Sequence, residues 1–406
     1  METFELAVIG AGPAGLMAAG TASQKGRKVI LLEKNEFIGR KILATGNGRC
    51  NLTNKNISAG NYHGASAIFI ESILGKFNQA QTMNFFESLG ITLKEEDRGR
   101  IFPRSNQALT IVEAFKSVIE ESGIILKTSM AVKYVSKGSC FIIKTEDGQS
   151  FEAKNLILST GGKAAFQFGS SGDGIFWASK LGHRIVPIFA ALVPIETREA
   201  WVKEVQGIKI EAKITTKVDN KTIQKSIGDC LFTQFGLSGS AVMAQAGEIS
   251  PLLGTNSVKI FIDIYPEITE QHLDQKLEQI FKNNTWKTLN NCLMGLFPSK
   301  LVPVILSLAG VDQNKNASKI LKADRQRIVQ CIKGMELTVK KIRPLKEAQV
   351  SRGGIDTAEI DQNTLESKLV KGLYFAGEIM DVDADSGGFN LQWAWSSGFV
   401  AGQSCR

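Results

Sequence analysis

The pattern of apolar and polar positions predicts alternating strands and helices in the first part of the chain. Short apolar runs predict strands at 4–9 and 29–32, and apolar residues at helical spacing predict helices at 65–74, 79–89 and 109–122. A further apolar strand over 155–159 leads directly into Thr160-Gly161-Gly162. Strands that alternate with helices are typical of an α/β fold built on a parallel sheet.

The first predicted strand ends on a glycine-rich turn. It reads Gly10-Ala11-Gly12-Pro13-Ala14-Gly15, and the second strand ends on Glu33 about twenty residues later. Gly10 allows the tight turn, Gly12 lets the backbone approach a pyrophosphate, and Gly15 permits close helix packing. The helix N-terminus offers free N–H groups to phosphates, and Glu33 can accept the ribose hydroxyls. This combination predicts a dinucleotide site.

The pattern changes at about residue 191. Alternation at 208–215 predicts a half-exposed antiparallel strand, with a turn at Asp219-Asn220 and a return strand at 222–227. Residues 270–333 have apolar positions at helical spacing. After Arg352-Gly353-Gly354 the earlier pattern returns, with a strand over 372–376. We therefore predict that a segment of about 190–350 is inserted into a discontinuous nucleotide-binding domain.

Composition narrows the class of protein. The 406 residues are 43% hydrophobic and carry a net charge of +8, and no apolar run approaches the roughly 20 residues of a membrane span. The N-terminus leads straight into a strand, so we expect no signal peptide. The six cysteines form no C-x-x-C pair, and the three histidines form no H-x-x-x-H set. We expect no metal, no membrane partner and a reducing, cytoplasmic location.

Two segments favour FAD over NAD. Near the C-terminus an apolar strand ends on Gly377-Glu378, as in two-part flavin-binding folds where such a segment closes over the ribityl chain. The loop 39–51 combines glycines with Arg40, Lys41 and Arg49, which suits a pyrophosphate and an electron-rich ring. A basic surface turn is the alternative interpretation of that loop.

Three stretches of the chain resemble a known family. They read GRKILATGNGRCNLTN, STGGKAAFQFGSSGDG and GLYFAGEIMDVDADSGGFNLQWAWSSGF, and they are similar to the bacterial BaiN-like family of NAD(P)/FAD-dependent oxidoreductases. The resemblance covers almost the whole chain. It implies a two-part Rossmann-type FAD-binding domain, at 1–190 and 351–406. It also implies an inserted β-barrel-like domain at 191–265, completed by 335–350, and a helical subdomain at 266–334 that covers the flavin.

The motifs and the resemblance together give the expected FAD contacts. These are Gly10, Ala11, Gly12, Pro13, Ala14, Gly15, Glu33, Lys34, Arg40, Lys41, Thr45, Asn47, Gly48, Arg49, Asn51, Val132, Thr160, Gly161, Gly162, Gly377, Glu378, Asn390, Leu391 and Gln392. The chain departs from the family twice. Asn47 stands where the family usually has glycine, and Gln234 stands where the inserted domain usually has histidine, so no acid–base role of that histidine carries over.

The chain has a single G-x-G-x-x-G unit, so no separate NAD(P)H-binding domain is evident and the flavin could exchange electrons in two ways. Either NAD(P)H docks transiently over the flavin, or electrons pass from the substrate to oxygen. The resemblance implies reduction of an activated C=C bond, in ribosomal RNA uracil or in a steroid-like enone, or oxidation of a small amine of the aminoacetone type. Our leading hypothesis is the NAD(P)H-driven reduction of uracil to dihydrouridine in 23S ribosomal RNA. A flavin-binding protein without turnover is a further alternative.

A C=C reductase needs a proton donor beside the flavin. Cys50 follows Arg49 in the flavin loop and is our candidate, with Tyr62 and His63 as alternatives. A packing role for Cys50 is equally open. Trp393 and Trp395 either wall a planar substrate or belong to the core.

Lysines of the inserted segment supply a candidate RNA surface. Lys209, Lys213 and Lys217 share one face of a predicted strand, and Lys221 and Lys225 lie on its return. Such a face suits the RNA backbone, and the target base would be extruded to reach the flavin. A solvated face, balanced by neighbouring acids and serving a small-molecule enzyme, is the alternative.

Overall fold

The computed structural model describes residues 2–254 and 256–405. The chain divides into two compact units, one formed by Met1–Phe189 with Gln349–Arg406 and the other by Ala190–Ala348. The first unit carries a Rossmann-type sheet with helices, and the second carries a closed antiparallel barrel and further helices. The predicted fold class, an α/β protein with a two-part Rossmann-type domain and an inserted barrel and helices, is confirmed.

The strands and helices have the following bounds. The strands are β1 (Glu2–Ile9), β2 (Val29–Leu32), β3 (Thr53–Asn54), β4 (Tyr62–Gly64), β5 (Leu93–Glu96), β6 (Arg100–Pro103), β7 (Ile125–Lys127), β8 (Val132–Lys137), β9 (Phe141–Thr145), β10 (Ser150–Leu158), β11 (Ile185–Ala191), β12 (Ile195–Thr197), β13 (Lys209–Val218), β14 (Lys221–Phe232), β15 (Gly236–Ser238), β16 (Val258–Asp263), β17 (Met335–Ile342), β18 (Val350–Ile355), β19 (Leu373–Phe375) and β20 (Val382–Ala384). The helices are α1 (Pro13–Ser23), α2 (Arg40–Ala44), α3 (Ala67–Lys76), α4 (Gln79–Ser88), α5 (Ala108–Glu121), α6 (Asp173–Lys180), α7 (Ser240–Met243), α8 (Ala246–Ile249), α9 (Glu270–Asn283), α10 (Leu289–Leu293), α11 (Leu301–Leu308), α12 (Lys322–Lys333) and α13 (Phe389–Ser404).

The main sheet of the first unit has the strand order β7-β2-β1-β10-β9-β8, and β19 also pairs with β10. Strands β7, β2, β1, β10 and β19 run parallel, whereas β9 and β8 continue the sheet as an antiparallel ribbon. All four residues of β2 are buried, as expected for a parallel strand that is covered on both faces. The parallel strands therefore bring their carboxyl ends to one edge of the sheet.

The second unit contains a closed six-stranded barrel with the order β12-β15-β14-β13-β16-β17. Along β13 the residues Ala212, Ile214 and Thr216 are buried, and the residues between them point outward. The helices of this unit add apolar residues to the same core, among them Leu273 and Leu277 from α9. This strict alternation is what the sequence pattern at 208–215 predicted.

Two predicted strands are longer in the structure. The strand expected at 155–159 is the end of β10, whose first half pairs antiparallel with β9 and whose second half lies between β1 and β19. Only this second half reads as a continuous apolar run. The return strand expected at 222–227 extends to Phe232, because β14 pairs with β13 along its whole length and then with β15.

Candidate functional site

The turn after β1 has the geometry of an anion site. Gly10 has φ +101°, and a Cβ at Gly15 would lie 1.8 Å from the carbonyl oxygen of Gly10, so neither position accepts a side chain. A Cβ at Gly12, in contrast, would meet no atom within 4 Å. Gly12 is also the N-cap of α1, and no side chain caps the free N–H groups of that helix. Open space therefore lies in front of a helix N-terminus.

Glu33 fastens this turn to the end of β2. One carboxylate oxygen of Glu33 accepts a hydrogen bond from the N–H of Ala11 at 2.7 Å. The other accepts from the N–H and the side-chain amide of Asn35, at 2.9 and 2.6 Å. Asn35 also accepts a hydrogen bond from Arg40 at 2.8 Å, and the N–H of Met130 donates to the carbonyl of Glu33. The acidic residue predicted to bind ribose is thus held beside the glycine turn.

Other predicted contacts surround this position. Lys34 forms an ion pair with Asp173 at 2.8 Å and also contacts Ser171. Val132 begins β8 two residues after Met130, the residue whose N–H donates to the Glu33 carbonyl.

Strand pairing gathers motifs that are far apart in the sequence. Ile9 pairs with Leu158, and Leu158 pairs with Phe375. The turns that follow these strands, at 10–15, 160–162 and 377–378, therefore meet at one edge of the sheet, where α/β folds bind their ligands. The hydroxyl of Thr160 is buried there without a hydrogen-bond partner.

Glu378 links three segments at this edge. Its carboxylate accepts hydrogen bonds from the N–H and hydroxyl of Ser351, at 2.9 and 3.0 Å, and forms an ion pair with Lys41. A Cβ at Gly162 would lie 2.9 Å from Glu378 and 2.0 Å from the hydroxyl of Ser351. Sequence reasoning missed Ser351, and its only signal was its place next to Arg352-Gly353-Gly354.

The loop 45–51 is held in an unusual backbone conformation. Gly46, Asn47, Gly48 and Cys50 all have positive φ, between 56° and 81°. Asparagine adopts this left-handed region more readily than other non-glycine residues, so Asn47 suits the conformation of the loop. The side-chain hydroxyl of Thr45, the first residue of the loop, donates to the carbonyl of Ile42 at 2.7 Å.

Arg49 is the loop residue whose partners differ most from the expectation. Its guanidinium forms an ion pair with Glu96, donates to the side chain of Asn106 at 2.8 Å, and lies 4.2 Å above the ring of Phe102. Hydrogen bonds from Arg49 and, next, from Lys94 lower the pKa of Glu96 to about 2. The guanidinium is therefore engaged by neighbouring protein groups.

The N-terminus of α13 forms the other end of the site. Its N-cap is Gly388, which has φ +101°, and no side chain caps the helix. The side-chain oxygen of Asn51 is buried without a partner and would lie 3.0 Å from a Cβ at Gly388. The side chain of Asn390 bonds the N–H and the carbonyl of Ala384 at 3.0 and 2.8 Å. Because the side chain of Asn390 is engaged in these bonds, its backbone is the part left to contact a ligand.

Leu391 and Gln392 continue the first turn of α13. Leu391 is buried, and the side chain of Gln392 is completely buried. Its amide accepts from Thr53 at 2.6 Å and donates to Thr82 at 2.8 Å and to the carbonyl of Phe77 at 3.1 Å. Both polar atoms of the Gln392 side chain are therefore engaged by protein groups, which disfavours a side-chain contact to a ligand.

These residues fit a flavin dinucleotide. Two uncapped helix N-termini, those of α1 and α13, offer N–H groups to a pyrophosphate and to an electron-rich ring. The carboxylate of Glu33 can accept hydrogen bonds from ribose hydroxyls. The oxygens of Thr160 and Asn51 have no partner in the described part of the protein and can bond a further polar molecule.

The three candidate proton donors have different environments. Cys50 is 0% exposed, and burial raises the pKa of its thiol to about 12. The structure therefore disfavours direct proton transfer from Cys50 to a substrate. Tyr62 is buried, its hydroxyl donates to the carbonyl of Phe389 at 3.2 Å, and burial raises its pKa.

His63 keeps accessible surface. Its side chain is 21% exposed, and its Nε2 lies 3.1 Å from the carboxylate of Asp385. Strand pairing explains this contact, because His63 on β4 lies opposite Asp383 on β20, two residues before Asp385. Asp385 precedes the N-cap of α13 by three residues, so His63 lies beside the α13 end of the site. Sequence reasoning missed Asp385, since nothing local indicates its partner.

The two tryptophans of the tail belong to the core. Trp393 and Trp395 are buried, and their indole N–H groups donate to the carbonyls of Gly377 and Leu52 at 3.3 and 3.0 Å. Trp395 also stacks on Phe115. The hypothesis that they wall a substrate is wrong, because their helix faces the protein interior.

The lysines predicted to meet RNA do share the outer face of β13, on the barrel of the second unit. Lys209 forms an ion pair with Asp229 at 2.8 Å, and Lys217 lies 4.5 Å from the ring of Phe261. Lys213 lies between them, opposite Asp263 on β16. Acidic residues are thus interleaved with the lysines.

Membrane and metal features are absent from residues 2–254 and 256–405. No helix there has the length and apolar character needed to cross a membrane. Within the same ranges, no group of three or more His, Cys, Asp or Glu side chains is placed to hold a metal ion.

Comparison with known proteins gives matches along the whole chain. Residues 4–404 match the family described as HI0933-like protein Rossmann domain. The 3-dehydro-bile acid delta(4,6)-reductase of Clostridium scindens is 35% identical over 98% of both chains. The ribosomal RNA dihydrouridine synthase of Escherichia coli is 30% identical over 99% of this chain and 98% of its own.

A solved structure shares the fold at lower identity. The 3-ketosteroid delta1-dehydrogenase of Sterolibacterium denitrificans has a TM-score of 0.54 and 12% identity, with 100% of this chain and 99% of that chain covered. Together with the glycine turn, Glu33 and the two uncapped helix N-termini, these matches identify the chain as a member of the HI0933-like family and a flavin-dependent oxidoreductase.

Proposed function

We propose that this protein is an FAD-dependent reductase that uses NAD(P)H to saturate a C=C bond conjugated to a carbonyl group. One observation carries the proposal. Two relatives that match the full length of the chain are named for a delta(4,6)-reduction of a 3-dehydro-bile acid and for dihydrouridine synthesis. Ring size, charge and polymer context differ between those compounds, but both reactions saturate a C=C bond in conjugation with a carbonyl. The bond type is therefore the common element.

Different protein groups would hold different parts of FAD. The N-terminus of α1 and the open position at Gly12 suit the pyrophosphate, Glu33 suits the adenosine ribose, and the N-terminus of α13 suits the electron-rich edge of the ring. When bound, the flavin supplies hydride chemistry at a substrate carbon. The protein must then orient the substrate and deliver a proton to the neighbouring carbon.

We assign that proton to His63. Of the three donors considered, Cys50 has no accessible surface and Tyr62 is buried with its hydroxyl occupied, whereas His63 is partly exposed. Histidine is the side chain most often used for proton transfer in enzymes. Asp385, 3.1 Å from Nε2, fixes the ring orientation and can supply charge compensation for the imidazolium.

Two substrates fit this chemistry. Uracil in 23S ribosomal RNA remains the leading one, supported by the name of the Escherichia coli relative and the net charge of +8. A cyclic enone is the second, supported by the name of the Clostridium scindens relative. Oxidation of a small amine has no such support. The six cysteines are unpaired in the structure, which supports work in a reducing compartment such as the cytoplasm.

The test uses anaerobic flavin spectroscopy on the FAD-loaded protein. NADH or NADPH should bleach the flavin. A cyclic enone, or ribosomal RNA from a strain lacking the gene, should then restore its absorbance faster than buffer does. Mapping dihydrouridine in the RNA product identifies the modified base. Rapid reoxidation by air, with no acceleration by either unsaturated substrate, would contradict the proposal.

Paired histidine variants test the proton donor. His63→Gln should retain FAD and normal bleaching by NAD(P)H, but product formation should slow by about 10²–10⁴. The matched control is His272→Gln, since His272 is exposed on α9, and this variant should turn over normally. Equal rates for the two variants would show that the proton comes from another group.

A further inference from the structure

The second unit contains a cavity of about 620 Å³ that belongs to none of the predicted sites. Its walls come from the end of β12, the residues that follow it, the turn between β14 and β15, and Lys340 of β17. A volume of this size is within the usual range of about 300–1,000 Å³ for small-molecule sites. All of these residues belong to the barrel unit itself.

A β-bulge shapes the wall of this cavity. Glu196 pairs with Lys341 across β17, but Thr197 pairs with Val339, so the register slips by one residue between Glu196 and Thr197. Bulges of this kind redirect a side chain and are frequent next to functional sites. Here the slip coincides with Thr197, which lines the cavity.

Two polar atoms on this wall lack partners. The hydroxyl of Thr197, a residue only 7% exposed, makes no hydrogen bond, and neither does the Oε2 atom of Glu199. The other carboxylate oxygen of Glu199 is used, because it accepts from the N–H of Thr338 at 2.8 Å. Buried polar groups are nearly always paired with protein, ligand or ordered water, so these two groups can take a partner from outside the protein.

The charge balance of the cavity is positive. Glu196 is already neutralised, since it pairs with Arg343 at 2.6 Å and with Lys341 at 3.3 Å. Arg198, Lys203 and Lys340 also line the cavity, and within the ranges that the structure describes they have no ion-pair partner. Three exposed cations therefore line the cavity together with one carboxylate that has no ion-pair partner in the described part of the chain, that of Glu199.

The turn between β14 and β15 adds an aromatic ring and an amide. Phe235 presents one face to the guanidinium of Arg343, at 4.8 Å, and also lines the cavity. Gln234 is its exposed neighbour, and its side chain has no partner within the described residues. An amide can both donate to and accept from a heterocycle, and an aromatic ring is a common stacking platform for bases.

We infer that this cavity binds a phosphorylated nucleoside. The phosphate satisfies the three cations, a ribose hydroxyl or a base N–H donates to Glu199, and the base contacts Gln234 and Phe235. A fatty or purely carboxylic ligand offers no donor for Glu199. This binding does not depend on the proposed reductase activity. A free nucleotide and a nucleotide within RNA share the chemistry, so the source is decided by experiment.

Calorimetric titration of the FAD-loaded protein with UMP and with uridine tests the site. UMP should bind, and uridine should bind at least about tenfold more weakly, because it lacks the charge-assisted phosphate contacts. Replacing Arg198, Lys203 and Lys340 together by Ser should weaken UMP binding by at least about tenfold and flatten its salt dependence. Glu199→Gln keeps the shape of the side chain but loses the charge, and should weaken uridine and UMP equally.

The matched control is a second triple variant, made at lysines elsewhere in the same unit. Replacing Lys282, Lys300 and Lys319 by Ser removes the same number of side chains from exposed positions in the helical part of this unit, outside the cavity, and should leave UMP affinity unchanged. Thermal melting of every variant verifies the fold. Absence of UMP binding at millimolar concentration, or an equal loss in both triple variants, would overturn the inference.

Two competitors identify the source. If NADP⁺ displaces UMP and a ten-nucleotide single-stranded RNA does not, the ligand is a free dinucleotide. If the RNA binds more tightly than UMP and the cavity variant loses this gain, the ligand is a nucleotide in RNA. Neither readout involves turnover, so failure of the reductase proposal and failure of this inference are distinguishable.

Discussion

Gly12→Ala should separate cofactor binding from folding. Gly12 has φ −79° and ψ −176°, an extended conformation open to any residue, and a Cβ there would meet no protein atom within 4 Å. Replacing glycine by alanine at such a compatible position stabilises a protein by about 0.4–1 kcal/mol, because the unfolded chain loses freedom. The protein without FAD should therefore be slightly more stable.

FAD binding should change in the opposite direction. The methyl group enters the space in front of α1 that we assign to the pyrophosphate. Displacing one hydrogen bond to a charged phosphate costs about 1.5–3 kcal/mol, which corresponds to roughly 10- to 150-fold in the dissociation constant of FAD. The specific expectation for Gly12→Ala is therefore a gain in the stability of the protein without FAD together with a loss of FAD affinity.

The matched control is Gly75→Ala. Gly75 lies in the last turn of α3, and a Cβ there would also meet no atom within 4 Å. It should raise stability by about 0.5–1 kcal/mol, as alanine does in helices, and leave FAD affinity unchanged. Stability is measured by urea unfolding of the protein without FAD, and affinity by flavin fluorescence quenching. Wild-type FAD affinity in Gly12→Ala would refute the assigned pyrophosphate position.

Three further predictions concern buried polar groups. Because burial raises the pKa of Cys50 to about 12, iodoacetamide at pH 8 should label Cys50 only after unfolding, and labelling of the native protein, detected by mass spectrometry, would contradict its burial. Gln392→Leu leaves the carbonyl of Phe77 and other buried partners with fewer hydrogen bonds. It should lower the free energy of unfolding of the protein without FAD by about 1–3 kcal/mol, measured by urea titration. An unchanged midpoint would show that water replaces the amide. Burial raises the pKa of Asp381, so its contribution to stability is fully present below its unfolded pKa and is lost as pH rises through the folded pKa. Asp381→Asn should therefore match the stability of wild type in acid and exceed it at pH 7. A difference in melting temperature that does not depend on pH would be inconsistent with this prediction.

Sequence reasoning was most accurate where the signal is local. The glycine turn occupies six consecutive residues, and the structure shows why Gly10 and Gly15 must be glycine, most sharply at Gly15. The alternation of apolar and polar residues was equally informative for the strands, because successive side chains of a strand point to opposite faces of the sheet. For the same reason, Lys209, Lys213 and Lys217 lie on a common face as expected.

The roles of individual side chains were harder to predict, because their partners are distant in the chain. The guanidinium of Arg49 is engaged by Glu96, 47 residues away, and His63 contacts Asp385, 322 residues away. Cys50 looked accessible in a loop of glycines and cations, but it has no accessible surface. No local pattern reports burial of this kind, since it depends on which segments pack over the loop.

The sequence by itself therefore determined the class of fold, the dinucleotide turn and the acidic residue that follows it, because short-range backbone sterics and side-chain periodicity dictate these features. Only the tertiary structure decided which turns share an edge, which candidate donor stays exposed, and where unpaired polar groups collect in the barrel unit. Those outcomes depend on long-range strand pairing, and the free energy of burying or pairing a side chain is fixed only when its distant neighbours are in place.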